Sequence, residues 1–305
     1  MKSLVFLNIN LVLRHLPQAI TQSVQVFYTG AEWSEIRLRL LQKNFRIGLV
    51  PTMGALHQGH LDLVRRSKEN CDVTVVSIFV NPTQFNNPED FDKYPQSLND
   101  DLYLLKTEGA DYVFTPSVET MYPQKSQMTL DFGPLERVLE GAFRPGHFNG
   151  VGLVVSKLFH LIQPHVAFFG QKDLQQVAII KRLVLDLSFP IEIQTVPTRR
   201  ENDGLAMSSR NRRLDPVSRE KSLLLFHSLS WAKEELLNGK SWLEVQQKVN
   251  RDFKQTEGVS LEYFELVGTE SFEILKAFDP NQKSSLCVAA EVGKVRLIDN
   301  FPVIA

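Results

Sequence analysis

The most constraining feature of the chain is the segment 51–60, Pro-Thr-Met-Gly-Ala-Leu-His-Gln-Gly-His, which directly follows the apolar run 47–50. This pattern predicts a buried strand, a glycine-containing turn and a helix that begins near Gly59. A helix N-terminus offers free backbone N–H groups and the positive end of its dipole, and both suit a phosphate. His57 and His60 are three residues apart and therefore share one face of the first turn. The segment favours nucleotide binding.

Two other interpretations of this histidine pair stay open at the level of sequence. A single histidine near a strand-turn-helix junction is commonly a capping or surface residue, and short motifs also match by chance. Neutral imidazoles bind zinc as well, although no cysteine or third histidine lies close in the sequence. A metal site therefore ranks below a phosphate site.

Strand-like and helix-like patterns alternate between residues 46 and 196. The run 73–80 is nearly all apolar and β-branched, which is typical of a strand buried on both faces. This alternation predicts an α/β fold with a parallel sheet, right-handed crossovers and ligands at the carboxyl ends of the strands. Strands are expected at 46–50, 73–80, 112–115, 166–169 and 191–196, and helices at 61–70, 95–108, 151–161 and 174–186.

The pattern changes after about residue 200, where a smaller α+β domain is expected. Its predicted elements are helices at 215–238 and 241–256, a strand at 261–267 and a hairpin of 286–291 with 295–298. The chain is therefore divided into an N-terminal extension (1–24), a larger sheet domain (25–200) and a C-terminal domain (201–305).

The composition narrows the classes of partner. The 305 residues carry a formal net charge of −1, so no global positive field attracts nucleic acid or an anionic membrane. Cys71 and Cys287 are far apart and lack metal-ligand spacing, which fits free thiols in a reducing compartment. The first seven residues resemble the start of a signal peptide, but polar residues at positions 8, 10 and 14 interrupt it. We interpret this segment as non-catalytic and expect a cytoplasmic protein with no transmembrane segment.

Two further polar segments follow predicted strands. Gln84 lies in Asn-Pro-Thr-Gln-Phe-Asn (81–86), where its amide suits a substrate that carries hydroxyl and carboxylate groups. Taken alone, the segment favours an Asx-Pro turn with a solvated glutamine. In the segment 168–176, Gly170 allows a ligand to approach the backbone, and Lys172 either neutralises a phosphate or is a solvated surface charge. Asp173 can contact a ribose hydroxyl or the water shell of a metal, and it can equally be an ordinary helix N-cap.

Three other segments are weaker candidates. Ser208, Ser209 and Arg210 form a polar, cationic run that can bind a polyphosphate or serve as a loop between domains. His147, just ahead of a predicted helix, is either a substrate contact or a structural loop residue. Asp100 and its neighbour Asp101 could bind Mg²⁺, but two acids at the start of a helix usually face solvent and complement its dipole.

Five motifs in order resemble the pantothenate synthetases, the pantoate–β-alanine ligases of vitamin B5 synthesis. The match runs from about residue 26 to the C-terminus. It is carried by Pro-Thr-Met-Gly-Ala-Leu-His-Gln-Gly-His (51–60), Phe-Val-Asn-Pro-Thr-Gln-Phe (79–85), Arg-Pro-Gly-His-Phe-Asn-Gly-Val (144–151), Phe-Gly-Gln-Lys-Asp-Leu-Gln-Gln (169–176) and Asp-Gly-Leu-Ala-Met-Ser-Ser-Arg-Asn (203–211).

The resemblance implies a Rossmann-like domain for ATP and pantoate, a smaller C-terminal domain that closes over the site, and a homodimer. It implies Mg-ATP, pantoate and β-alanine as substrates and a pantoyl adenylate as intermediate. His60, His57 and Lys172 are the catalytic candidates it implies, and Gln84 and Gln176 contact pantoate, with Gln84 also contacting β-alanine. The ATP site it implies comprises Met53, Gly54, Ala55, Leu56, His57, Gln58, Gly59, His60, Gly170, Gln171, Lys172, Asp173, Arg199, Met207, Ser208, Ser209 and Arg210.

The chain departs from the family pattern at a few positions. Thr83 stands where methionine is common, Gln171 replaces a residue that is more often acidic, and Arg199 replaces a small apolar residue. The N-terminal extension has no counterpart.

Three competing functions share parts of these motifs. A nucleotidylyltransferase would also use the two histidines, but it would not need Gln84 and Gln176 and would release no AMP. An aminoacyl-tRNA synthetase would need a basic surface and more chain for an anticodon-binding domain. A catalytically silent nucleotide-binding protein would bind ATP without turnover, and the intact histidines and Lys172 argue against it.

Overall fold

A six-stranded parallel sheet forms the larger part of the computed structural model, which describes residues 24–86 and 88–304. The predicted N-terminal extension lies, except for its last residue, outside these described residues. Every neighbouring pair in the sheet is parallel, as the alternating pattern predicted. The strand order is β1-β4-β3-β2-β5-β6. The strands are β1 (Gln25–Phe27), β2 (Ile47–Thr52), β3 (Val73–Ile78), β4 (Tyr112–Phe114), β5 (Val166–Gly170) and β6 (Glu192–Val196).

The order of the strands reverses at β2. The chain leaves β2 for β3 on one side, whereas β5 pairs with the other side of β2 through Gly48 opposite Val166. Loops that leave neighbouring strands in opposite directions open a crevice outside the carboxyl ends of those strands. The crevice of this sheet therefore lies between the segments that follow β2 and β5, where two of the sequence motifs occur.

Helices cover both faces of the sheet. Val75 and Val76 are adjacent in β3 and fully buried, yet they belong to two different hydrophobic clusters, one on each face. A strand buried on both faces cannot alternate apolar with polar residues, which explains the continuous apolar run. The helices of this part are α1 (Gly30–Gln42), α2 (Gln58–Asn70), α3 (Pro88–Asp92), α4 (Leu98–Thr107), α5 (Val118–Met121), α6 (Leu139–Phe143), α7 (His147–Ile162) and α8 (Leu174–Asp186).

The C-terminal part packs two of its three helices, α10 and α11, against an antiparallel sheet with the order β7-β8-β9. The expected helix over 215–238 is wrong, because it is two helices that meet at Ser222. The buried Ser222 hydroxyl donates to the carbonyl of Arg219 at 2.6 Å. The elements are α9 (Pro216–Lys221), α10 (Leu223–Leu237), α11 (Trp242–Gln255), β7 (Val259–Gly268), β8 (Ser284–Val292) and β9 (Val295–Ile304).

Strand β1 and helix α1 were missed by the sequence analysis, although the chain signals the start of α1. The Thr29 hydroxyl accepts from the backbone N–H of Glu32, whose carboxylate accepts from the backbone N–H of Thr29, and this is a capping box. Trp33 in α1 is fully buried and donates its indole N–H to the carbonyl of Ile162. No helix among the described residues is both long and apolar enough to cross a membrane.

The two parts of the chain meet at a buried ion network. The carboxylate of Glu140 accepts from Arg296 on β9 at 2.8 and 2.7 Å and from the Tyr263 hydroxyl on β7 at 2.7 Å. Burial alone would raise the pKa of Glu140, but the hydrogen bonds and charges of Arg296 and Arg144 lower it to about 2. Glu140 is therefore ionised at neutral pH and ties the C-terminal sheet to helix α6.

Candidate active site

A cleft lies at the carboxyl ends of β2 and β5 and is closed on one side by the loop 205–213. Most of the predicted site residues line it, although they come from five separate segments of the chain. These lining residues are Met53, His57, Gly59, His60, Gln84, Gly170, Lys172, Asp173, Gln176, Arg199, Met207, Ser208, Ser209 and Arg210.

Six predicted residues do not line the cleft. Ala55 and Leu56 are buried behind it, and Gly54 faces a second hollow beside the residues that follow β4. Gln58 is exposed and accepts from Arg65, whereas Gln171 contributes only a backbone carbonyl to a contact described below. The sixth, Asp100, is exposed in the first turn of α4 and away from the cleft, so the structure does not support it as a magnesium ligand.

The turn after β2 is held by the neighbour of Asp100. Gly54 and Ala55 have φ values of 81° and 49°, in the left-handed region. The carboxylate of Asp101, which is 1% exposed, accepts from the backbone N–H of Ala55 at 2.9 Å and of Leu56 at 2.8 Å. The expectation that both acids face solvent is thus wrong for Asp101, because its carboxylate satisfies two buried donors.

The two histidines lie side by side where helix α2 begins. Their ring centroids are 4.0 Å apart, and the backbone N–H of His57 donates to Nδ1 of His60 at 3.3 Å. Because Nδ1 of His60 accepts, the proton of the neutral ring resides on Nε2. Burial, helped by the positive charge of Lys172, lowers the pKa of His57 to about 4. Burial and the neighbouring His57 hold the pKa of His60 well below its ordinary value.

Both rings are therefore neutral at pH 7 in the unliganded cleft. A neutral imidazole donates one hydrogen bond but is not an acid at this pH. Nδ1 of His57 is buried and has no hydrogen-bond partner among the described residues. The pair is built to donate hydrogen bonds to a ligand.

Gln84 ends a 3-10 turn (Pro82–Gln84) that packs against helix α7. Asn81, 1% exposed, donates from Nδ2 to the side-chain oxygen of Gln84 and to the carbonyl of Gly150, both at 3.2 Å. The Gln84 amide also lies 2.9 Å from the sulfur of Met53. These contacts fix the Gln84 side chain against the cleft wall.

Arg144 and Asn81 also line the cleft and were not among the predicted site residues, and His147, left open as a substrate contact or a structural residue, lines it too. Arg144 and His147 both donate to the carbonyl of Gln84, at 3.3 and 2.8 Å. Burial, with Arg144 adding to it, lowers the pKa of His147 to about 3, so this ring is also neutral. Both residues belong to the motif Arg-Pro-Gly-His, and its turn residues ahead of a helix were the available signal.

The segment after β5 forms a 3-10 turn (Gln171–Asp173) that leads into α8. Nζ of Lys172 lies 3.9 Å from the carboxylate of Asp173, and both side chains line the cleft. Gln176 lines it one turn further along α8. Its neighbour Gln175 instead donates to the carbonyls of two residues in the segment 135–138 and has a structural role.

The loop 205–213 is held by backbone hydrogen bonds to the chain that follows β6. The backbone N–H of Met207 donates to the carbonyl of Arg199 at 2.9 Å, and Arg200 forms a bridge with Ala206. The Ser208 hydroxyl accepts from the backbone N–H of Arg210 and thereby caps the 3-10 turn Ser209–Arg213. The run of hydroxyl and cationic groups thus lines the same cleft as the histidine pair.

The cleft is strongly cationic although the chain is nearly neutral. Lys172, Arg144, Arg199 and Arg210 line it, and Asp173 is the one carboxylate among its described lining residues. Cationic and N–H donor groups around a helix N-terminus suit an anionic ligand such as a polyphosphate.

The chain is similar to known proteins in sequence and in fold. A family model described as pantoate-beta-alanine ligase matches residues 25–302. The pantothenate synthetase of Cytophaga hutchinsonii is 45% identical over 274 residues, which cover 88% of this chain and 97% of that protein. Pantothenate synthetase 1 of Bradyrhizobium diazoefficiens is 51% identical over 257 residues, which cover 84% and 89% of the two chains.

Two solved structures are similar in fold. The pantothenate synthetase from Thermus thermophilus has a TM-score of 0.86 and 40% identity, over 92% of this chain and 100% of that one. The pantoate-beta-alanine ligase from Francisella tularensis, complexed with beta-gamma ATP and beta-alanine, has a TM-score of 0.74 and 35% identity, over 92% and 98%.

Proposed function

The chain belongs to the pantoate–β-alanine ligase family, and from that premise we propose that its cleft joins (R)-pantoate to β-alanine through a pantoyl adenylate. The carboxylate of pantoate attacks the α-phosphorus of ATP, and pyrophosphate leaves. The amine of β-alanine then attacks the acyl carbon, the bond to the phosphate oxygen breaks, and AMP leaves with pantothenate.

The observation that carries the proposal is the convergence of His57, His60 and Lys172 at the helix α2 N-terminus. Charge grows on the α-phosphate and on the departing pyrophosphate, and preorganised donors that meet this charge stabilise the transition state. Nε2–H of His60 is one such donor, and the ammonium of Lys172 is another. Because the low pKa of His60 keeps its ring neutral, its role here is hydrogen bonding rather than transfer of a proton.

The remaining lining residues divide between nucleotide and acid. Met53, Gly59 and Gly170 lie beside the histidines on the nucleotide side, and the run Ser208–Arg210 contacts the triphosphate from the loop. Gln84 and Gln176 provide amide groups that can bind both hydroxyl and carboxylate oxygens of pantoate. No protein nucleophile is required, because the carboxylate of pantoate supplies it and the cleft needs only to align the reactants.

Magnesium fits this cleft as an ion carried by ATP. The described residues contain no group of three or more His, Cys, Asp or Glu side chains that could hold a metal. Mg²⁺ is commonly bound by substrate phosphates with one or two carboxylates, and Asp173 is the lining carboxylate suited to this. When bound, the ion would neutralise charge on the phosphates.

The reaction is tested with ATP, Mg²⁺, pantoate and β-alanine, each omitted in turn, while AMP and pantothenate are measured. We expect equal amounts of both products, and only with all four components present. Pantoate labelled with ¹⁸O in its carboxylate should pass one label to AMP, because the phosphate retains the oxygen that attacked it. ATP binding without AMP formation would reject the ligase and support a silent nucleotide-binding protein.

The proposal also extends to a homodimer in the cytoplasm, as the family resemblance implied. Sedimentation equilibrium of the purified chain would give twice the monomer mass of 34.8 kDa if this is correct.

A further inference from the structure

The end of strand β9 reaches from the C-terminal sheet to the turn that carries Lys172. Asn300 is 3% exposed, and its Nδ2 donates to the carbonyl of Gln171 at 2.9 Å and to the carbonyl of Lys172 at 2.8 Å. One side-chain amide thus binds two successive carbonyls of the 3-10 turn Gln171–Asp173.

These two contacts bear directly on the cleft. The carbonyls of Gln171 and Lys172 belong to the peptide units on either side of the Lys172 Cα atom. Fixing both units fixes the direction of its Cα–Cβ bond, from which the ammonium extends into the cleft. The cation whose charge acts most strongly on His57 is therefore oriented by a residue that lies 128 positions away in sequence.

Asn300 is itself held in place on β9. Its backbone N–H donates to Oδ1 of Asp299 at 2.7 Å, and the carboxylate of Asp299 accepts from Arg200 at 2.7 and 3.0 Å. The Arg200 guanidinium lies 4.3 Å from the ring centroid of Phe301. Arg200 directly follows Arg199 of the cleft wall. The segment 299–301 therefore contacts two of the segments that form the cleft, the turn 171–173 and the chain at 199–200.

We propose that Asn300 is a positioning residue, which aims the Lys172 ammonium at the phosphates of ATP from outside the cleft. The C-terminal sheet is then part of the structure that builds the nucleotide site. This inference rests on the proposed function, because Lys172 is placed on phosphate only if ATP is the substrate.

The test measures pantoate-dependent exchange of labelled pyrophosphate into ATP. In the Asn300→Ala variant we expect kcat to fall about 10- to 100-fold, the range expected when a group that aligns the reaction is displaced by about 1 Å. The KM for pantoate should stay within about two-fold, because Asn300 does not contact the Gln84 side of the cleft. The isosteric Asn300→Asp variant keeps the packing but places an acceptor against two carbonyls, and should lose kcat as well.

A double-mutant cycle separates positioning from general loss of structure. If Asn300 acts through Lys172, Asn300→Ala should cost no more than about two-fold in a Lys172→Ala background. The matched control is Gln246→Ala, which also removes a side-chain amide from a backbone carbonyl, that of Phe264 at 3.0 Å, but on β7, the opposite edge strand of the C-terminal sheet. Equal losses of kcat in both Lys172 backgrounds, or an equal loss in the control, would overturn the inference.

A second readout does not depend on the reaction. Amide hydrogen exchange of the segment 170–173, measured without substrates, should speed up in Asn300→Ala and not in Gln246→Ala. Unchanged amide hydrogen exchange in Asn300→Ala would overturn the positioning role, whatever reaction the enzyme catalyses. The proposed function alone would be rejected if amide hydrogen exchange is faster in Asn300→Ala while the wild-type protein shows no exchange of pyrophosphate into ATP. If Asn300→Ala does not fold, Asn300→Asp decides by the same two measurements.

Discussion

Replacement of Asp101 by alanine is expected to destabilise the protein far more than the same change at Asp100. The two acids are adjacent in helix α4, so they are matched in charge, helix position and sequence context. Asp101 is buried and accepts from the N–H groups of Ala55 and Leu56, whereas Asp100 is exposed. Any difference between the two variants therefore reports on the contacts with the turn that follows β2.

The magnitude follows from those two contacts. An N–H group that is buried and left without an acceptor costs about 1–3 kcal/mol, so the Asp101→Ala variant should lose about 2–6 kcal/mol. Asp100 can contribute only through the helix dipole, which amounts to about 0.3–1 kcal/mol for an exposed residue. Since whole domains are stable by about 5–15 kcal/mol, the first change removes a large part of the stability and the second does not.

The assay is urea unfolding followed by circular dichroism, at pH 7 and fixed salt. The Asp101→Asn variant should have an intermediate free energy of unfolding. Its side-chain oxygen can still accept from one of the two N–H groups, whereas its NH₂ group meets the other N–H and cannot accept from it. Steady-state activity should fall with Asp101→Ala, since the turn carries Met53 and His57, while Asp100→Ala should keep the magnesium requirement of the wild type. Equal free energies of unfolding for the two alanine variants, within about 0.5 kcal/mol, would refute the structural role.

Four further predictions concern the cleft. His60→Ala should fold normally but form the adenylate about 100- to 1000-fold more slowly in single turnover, because one preorganised donor to the developing charge is lost; a near-wild-type rate would contradict this. Gln84→Ala should raise the KM for pantoate more than that for ATP, and an unchanged pantoate dependence would count against it. Gly150→Ala should cost about 1–3 kcal/mol in urea and also raise the pantoate KM, since its Cβ would lie 2.2 Å from the carbonyl oxygen of Thr83. The free energy of unfolding should fall as the pH drops from 6.5 towards 3, because the pKa of His147 is about 3 in the folded protein and about 6.5 in the unfolded chain. The His147→Gln variant should lower the slope of this free energy against pH by about 1.4 kcal/mol per pH unit.

The parts of the site that could be predicted are those that the chain encodes locally. Gly170 ends strand β5 and Lys172 lies in the turn that follows it, and His57 and His60 lie where a helix begins. The strand patterns, with the rule that ligands of a parallel sheet bind at the carboxyl ends of its strands, were enough to place these residues at one site. The family resemblance then assigned roles to residues that these patterns had already placed close together.

The parts that could not be predicted depend on contacts between distant segments. Asp100 and Asp101 have the same chemistry, and which one is buried is decided by how α4 packs on the turn after β2. Asn300 lies beyond the predicted strand 295–298, and the alternation that buries positions 295, 297 and 299 would leave it exposed. Its burial depends on the two carbonyls of the turn 171–173, which no pattern in β9 reveals. The pairing of Glu140 with Arg296 spans 156 residues, and no spacing rule addresses such a contact.

The placement of β5 beside β2 has a consequence for how the chain folds. The partners in this pairing are about 118 residues apart, and closing a flexible loop of that length costs about 4 kcal/mol in chain entropy before the contact is made. Parallel sheets with such distant pairings form slowly. We therefore expect refolding chains to regain helix and much of the sheet before His60 and Lys172 become neighbours. Compact chains that cannot yet bind a nucleotide should therefore form before the active enzyme.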